Sequence, residues 1–122
     1  MDWRQFEIVS REKMEHIFGT TLNKGRWKDV PKEWDMISNT HGIVGDAKYL
    51  TLVRGKAIPP AKLMEIAAHV WLLEKTEANR KFLVFGNQKQ VPGIWLKKYG
   101  HLIPDINFYF MDNEGQIDLI NL

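Results

Sequence analysis

Asp46 and Lys48, two positions apart in the run Ile43 to Val53, are the first residues of this chain whose spacing suggests chemistry. The run reads as a β-strand, and strand side chains alternate between faces, so both charges project to the side of Val44, Leu50 and Leu52. Burying such groups costs several kcal/mol each unless they are paired or bind an ion, and a hydrophobic pair there would usually be at least as stable. Stability is therefore a poor reason for their presence. A second carboxylate, Asp35, lies on the preceding strand, Glu33 to Asn39, and leaves by the face shared with Glu33 and Ile37. In the natural hairpin register it reaches the same end of the sheet as Asp46. Two carboxylates beside a lysine suit a hard divalent cation, since Mg²⁺ takes one or two carboxylates and fills its other positions with water and phosphate oxygens. Glu7 is a third candidate. At about 100° per residue it falls at the edge of the apolar face of a first helix, beside Trp3 and Met14, whereas Glu12 and Glu15 point away.

The elements that must position these groups follow from periodicity and punctuation. From Asp2 to Phe18 the residues Trp3, Phe6, Val9, Met14, Ile17 and Phe18 share one side of a helix, which Gly19 stops. Thr20 to Lys32 reads as a basic loop or irregular strand, with room for at most a short edge strand before Pro31, and Trp27 there reads as a lid on the core. The strands Glu33 to Asn39 and Ile43 to Val53 flank the turn Thr40-His41-Gly42 and form an antiparallel hairpin. Arg54-Gly55-Lys56 breaks the run, and Pro59-Pro60 precedes a helix from Ala61 to Lys75. That helix is apolar around most of its circumference, with Trp71 expected in the core and a polar stripe of Lys62, Glu65 and His69. Lys81 to Gly86 is a short strand, Pro92 to Tyr99 a short helix, and Ile106 to Met111 with Gln116 to Leu122 a closing hairpin. The two strands joined by the long helix should pair in parallel with a right-handed crossover. The fold class is α/β with a central mixed sheet, in one domain spanning 1–122.

Glu7 on a first helix, Asp35 on a strand, Gly45-Asp46-Ala47-Lys48 on the next strand, then a helix and another strand resemble the PD-(D/E)xK nuclease superfamily. The resemblance covers Asp2 to Gly86 in element order. Among fifteen acidic residues only Asp46 has a lysine two positions on, so the match was not selected from many. In this chain Trp34, not proline, precedes Asp35, and Pro31 lies four positions before it. The resemblance implies a restriction-endonuclease-like fold, a central mixed β-sheet flanked by helices, and metal-dependent hydrolysis of DNA phosphodiesters. It implies that Asp35, Asp46 and the main-chain carbonyl of Ala47 hold Mg²⁺ or Mn²⁺, with Glu7 ligating through water or binding a second ion. Lys48 would orient the attacking water or help deprotonate it, and the metal would lower that water's pKa and neutralise charge on the phosphate.

A nuclease must also hold the phosphate backbone. Lys24, Arg26, Lys28 and Lys32 precede the acidic strands and Arg54, Lys56 and Lys62 follow them, so positive charge brackets the site; Gln88, Lys89 and Gln90 are further candidate contacts. The other expected partners are a second copy of the chain, if one side of the Trp71 helix stays uncovered, and a separate recognition subunit, since the chain is short. His16, His41, His69 and His101 show no paired spacing for a transition metal, and only His41, in the turn between the key strands, is kept as a substrate contact.

Composition narrows the remainder. The 122 residues are 44% hydrophobic and 26% charged, as in an ordinary globular domain, and no apolar run is long enough to span a bilayer. The opening Met1-Asp2-Trp3-Arg4 does not read as a basic then hydrophobic signal segment, so secretion is not expected. The absence of cysteine excludes disulfides, zinc-thiolate sites, iron–sulfur clusters and cysteine nucleophiles, and a reducing interior such as the cytoplasm fits. A net charge of +2 names no polyanionic partner by itself, so the placement of charges carries the argument. No phosphate-cradling glycine loop and no nucleophile-elbow serine is present. Two alternatives of other classes stand beside the nuclease: a non-cleaving nucleic-acid-binding module of the same fold, and a structural protein-interaction domain in which Asp46 and Lys48 are merely an ion pair.

Overall fold

The computed structural model describes residues 1–120. Helix α1 (Trp3–Phe18) starts on a capping box, in which the Asp2 carboxylate accepts from the Gln5 amide at 2.8 Å and the Gln5 side chain accepts from the Asp2 amide. It ends at Gly19 in the left-handed conformation, φ 67°. Strands β1 (Asn23–Trp27), β2 (Val30–Ser38) and β3 (Ile43–Leu50) follow, then helix α2 (Pro60–Thr76), strand β4 (Arg80–Asn87), helix α3 (Gln90–Tyr99) with a one-turn 3₁₀ extension, and strands β5 (Ile106–Met111) and β6 (Ile117–Ile120). Asn121 and Leu122, expected to finish the last strand, lie outside the described residues. The six strands form one mixed sheet in sequence order, with β3–β4 and β4–β5 parallel and the other pairs antiparallel. The parallel pairing expected across α2 is therefore present.

The sheet separates two cores. On one face α1 packs Phe6 and Met14 against Met36, Ile43, Phe82 and Val84. On the other, α2 and α3 cover Trp34, Val44, Leu83, Phe85 and Phe108. The packing is close on this sheet: a side chain at Gly45 would strike the Phe82 ring, and one at Gly86 would strike the Phe6 ring.

Several boundaries differ from the sequence expectation. The strand expected from Glu33 begins at Val30 and contains Pro31, which has no ladder partner and so forfeits no hydrogen bond. The basic segment before it supplies β1, an edge strand whose Trp27 is buried and donates its indole N–H to the Thr76 carbonyl. Strand β3 stops at Leu50, not Val53, because side chains replace the ladder there. Asn87 donates to the Leu50 carbonyl and Gln88 accepts from the Leu52 amide at 2.7 Å, and Val53 bridges to Ala57 across a turn. On α1 the buried line is Phe6, Ser10 and Met14, while Trp3 and Ile17 are exposed. Trp71, expected in the core, is 57% exposed, since Ile66, Val70 and Leu73 already fill the sheet-facing side of α2.

Candidate active site

Asp46 and Lys48 sit on β3, on the face covered by α2, and both are buried, at 2% and 5% exposure. The Lys48 ammonium is 3.0 Å from Asp46 Oδ2, so the pair expected on one face does meet. Three groups converge on that one oxygen. Lys32 from β2 is also 3.0 Å from it, and Nδ1 of His69 from α2 lies at 3.5 Å. Lys48 in turn donates a hydrogen bond to His69 Nδ1, which requires the ring proton to be on Nε2.

Asp35 reaches this cluster through an irregularity in β2. Between the pairs Asn23↔Ile37 and Gly25↔Trp34, two steps along β1 correspond to three along β2, so β2 bulges around Asp35 and Met36. The bulge puts Trp34 and Ile37 in the same core although they are an odd number of residues apart. Glu33 and Ile37 consequently do not share a face: Glu33 is exposed and Ile37 buried. The regular β2–β3 ladder ends at Met36↔Gly45, and side chains continue it. The Asp35 amide donates to Asp46 Oδ1 at 3.0 Å, and the Ala47 amide donates to Asp35 Oδ2 at 3.0 Å. The two carboxylates thus stand on the same rim, each clasping the other's strand.

Glu7, Asp35, Asp46, Ala47 and Lys48 line one cleft of about 300 Å³ between the start of α1 and the first half of α2. Lys62, Glu65 and His69, the polar stripe read from sequence, form the α2 wall of this cleft. Glu7 does not approach free-handed. Its Oε1 is 3.0 Å from Lys24 and 3.4 Å from Arg11, and Arg11 also donates to the Asp35 carbonyl at 3.2 Å.

Burial pushes the Asp35 carboxyl up to about 7, helped by its hydrogen bond to Asp46 and by that group's charge. Burial pushes Asp46 the same way, but the Lys48 charge, the hydrogen bond from Asp35 and the Lys32 charge outweigh it and hold Asp46 below the usual range. His69 is lowered to about 4 by burial first, then by Lys48 and Lys32, so its ring is neutral at pH 7. The Lys24 ammonium is raised by its hydrogen bond and charge contact with Glu7. At neutral pH two lysines therefore face one fully ionised carboxylate and one that is partly protonated.

Among the described residues no group of three or more His, Cys, Asp or Glu side chains is arranged to hold a metal ion. Asp35 and Asp46 meet the lower requirement of Mg²⁺, one or two carboxylates with water completing the shell. A cation there would have to compete with Lys32 and Lys48 for the outer oxygen of Asp46.

The other basic residues disperse. Lys32 and Lys62 line the cleft and Lys24 touches its edge. Lys28 lies exposed over the Trp27 ring, Arg54 and Lys56 sit exposed on the turn after β3, and Lys89 is exposed beside α3. Gln88, taken for a phosphate contact, is occupied with the Leu52 amide. His41 is not at the cleft; its Nδ1 lies within reach of the Thr20, Ser38 and Thr40 hydroxyls. Sequence reading missed Arg11 and the role of His69. The signal for His69 was present: a polar stripe at i, i+3 and i+7 on a helix apolar elsewhere must face something polar.

Comparison of the chain with known protein families, with curated proteins and with solved structures finds no match. What stands is an α/β architecture with a central mixed sheet flanked by helices, carrying a buried charged cluster of Asp46, Lys32, Lys48 and His69 at a cleft.

Proposed function

We propose that this domain binds nucleic acid, with the cleft receiving a backbone phosphate. The observation that carries this reading is the convergence of Lys32 and Lys48 on a single Asp46 oxygen, with Lys62, Lys24 and Arg11 around the same cleft. Cationic groups outnumber ionised carboxylates there, and a dianion or monoanion entering relieves that imbalance.

Two forms of the reading differ in what happens next. In the cleaving form Asp35, Asp46 and the Ala47 carbonyl would hold Mg²⁺ or Mn²⁺, and the ion would supply a water of lowered pKa and neutralise charge on the phosphate. Lys48 then aims its ammonium at the attacking oxygen, His69 accepts from Lys48 and keeps that amine directed, and Lys32 engages a non-bridging phosphate oxygen. Four residues chosen by spacing, from three separate elements, lining one cleft is what supports this form. In the non-cleaving form the same lysines simply grip phosphate. The lack of a three-ligand group among the described residues, and the tie of Glu7 to Lys24 and Arg11, favour this second form.

One experiment separates them. Labelled single-stranded, duplex and branched DNA is incubated with the protein in Mg²⁺, Mn²⁺ or EDTA, and binding and cleavage are read in parallel for wild type, Lys48→Ala and Asp46→Ala. Metal-dependent cleavage lost in both variants establishes the nuclease. Binding without cleavage in every metal establishes the module, and absence of binding to every substrate ends the nucleic-acid reading in favour of an interaction domain.

A further inference from the structure

A second polar surface lies beside the cleft, between β1 and the end of β2 with its following turn. This groove, about 570 Å³, is lined by Thr20, Asn23, Lys24, Arg26, Ser38 and Thr40 among others. Lys24 joins the two surfaces, because it lines the groove while its ammonium rests 3.0 Å from Glu7 of the cleft. Arg26 is exposed and, although Glu33 is its ladder partner, makes no ion pair among the described residues.

The hydroxyls of the groove are also under-used as donors. Thr20, Ser38 and Thr40 oxygens all lie 3.0–3.3 Å from one atom, His41 Nδ1. A single ring nitrogen carries either one lone pair or one proton in the ring plane, so it forms one good hydrogen bond at a time. At least two hydroxyl protons must turn elsewhere, and Ser38 and Thr40 can satisfy only one of them between themselves, at 3.4 Å. Clustered donors beside two cations suit a ligand that is acceptor-only and anionic. A backbone phosphate is such a ligand, and hydroxyl, amide and Lys/Arg side chains are the usual phosphate contacts. Lys24 and Arg26 charge the edge strand β1 and make it a poor template for an added peptide strand, which counts against a protein occupant.

We propose that this groove is a second nucleic-acid contact, holding phosphates that flank the one in the cleft, with Lys24 at the junction of the two. The inference rests on the nucleic-acid reading of the cleft and adds the path of the strand. Arg26 and Thr40 are its diagnostic residues, since neither lines the cleft.

The test is fluorescence anisotropy of labelled single-stranded and duplex oligonucleotides, titrated in EDTA across a range of salt. Arg26→Ala should weaken binding about 5- to 10-fold at low salt and reduce the salt slope by about one, with Thr40→Val weakening it further. Lys98→Ala on α3, the same loss of charge at a distant surface, should change neither. If wild type binds and Arg26→Ala and Thr40→Val bind equally well with an unchanged slope, the groove proposal is overturned while the cleft reading stands. If wild type binds no oligonucleotide, both fall.

Discussion

Asp35 and His69 are held away from their ordinary titration ranges by the same cluster, in opposite directions, and this makes the site readable by stability alone. Asp35 titrates at about 7 in the fold and near 4 when unfolded, so the fold holds its proton more tightly. Its contribution is complete below pH ~4 and is lost as pH rises towards 7. His69 titrates at about 4 in the fold and near 6.5 when unfolded, so its contribution is complete above pH ~6.5 and is lost as pH falls towards 4. In wild type the two slopes oppose each other across one window. Asp35→Asn should leave the His69 slope, with stability rising between about pH 4 and 6.5. His69→Gln should leave the Asp35 slope, with stability falling from about pH 4 to 7. The Asp35 effect is of the order of a few kcal/mol, and that of His69 is smaller because the ring is partly open to solvent. Asp46, held low, adds a loss only on the acid side of this window. Urea midpoints measured across the range decide it, and two variants sloping the same way would refute the charge arrangement.

The elements matter as supports whose spacing is tight in some places and loose in others. Helix α1 can bring Glu7 to the cleft only because Gly86 lets the Phe6 ring lie on β4. Gly86→Ala should therefore cost about 1–3 kcal/mol and displace the start of α1. Gly93 is a contrast within α3: a Cβ there meets nothing within 4 Å and the backbone is helical, so Gly93→Ala should stabilise by about 0.5–1 kcal/mol. Thermal unfolding of both variants tests the contrast, and equal effects of the two would contradict the packing described. The β2 bulge is the other decisive support. A strand of uninterrupted alternation would send Trp34 to the face opposite Ile37 and leave the Asp35 carboxylate without its place beside Ala47.

At the scale of the whole molecule the sheet is covered on both faces, and among the described residues no helix is long and apolar enough to cross a membrane. An apolar area on α2 and the end of α3 remains uncovered. Met64 and Trp71 of α2 and Leu102 after α3 are 65%, 57% and 62% exposed and line one groove with Tyr99. Both signs of charge stand at its border, Glu74 in the groove wall and Lys75 over the Trp71 ring at 5.7 Å. The homodimer expected from the Trp71 helix would use this face. Trp71→Ser should convert a dimer to a monomer in velocity sedimentation, and a wild-type monomer at high concentration would remove the idea.

Several local, periodic features could be read from the residues alone. The span of α1 and its stop at Gly19, the β3 alternation that puts Asp46 beside Lys48, the α2 crossover and the closing hairpin were legible because each follows from residues within a few positions of one another. The bulge that carries Asp35 to Asp46 was not, since it arises from the register between β1 and β2 and leaves no periodic trace. Nor were the entry of Lys32 into the ion cluster, the capture of Glu7 by Lys24 and Arg11, or the exposure of Trp71. Those depend on which surfaces meet after the chain folds, when burial strengthens charge interactions that solvent would otherwise screen.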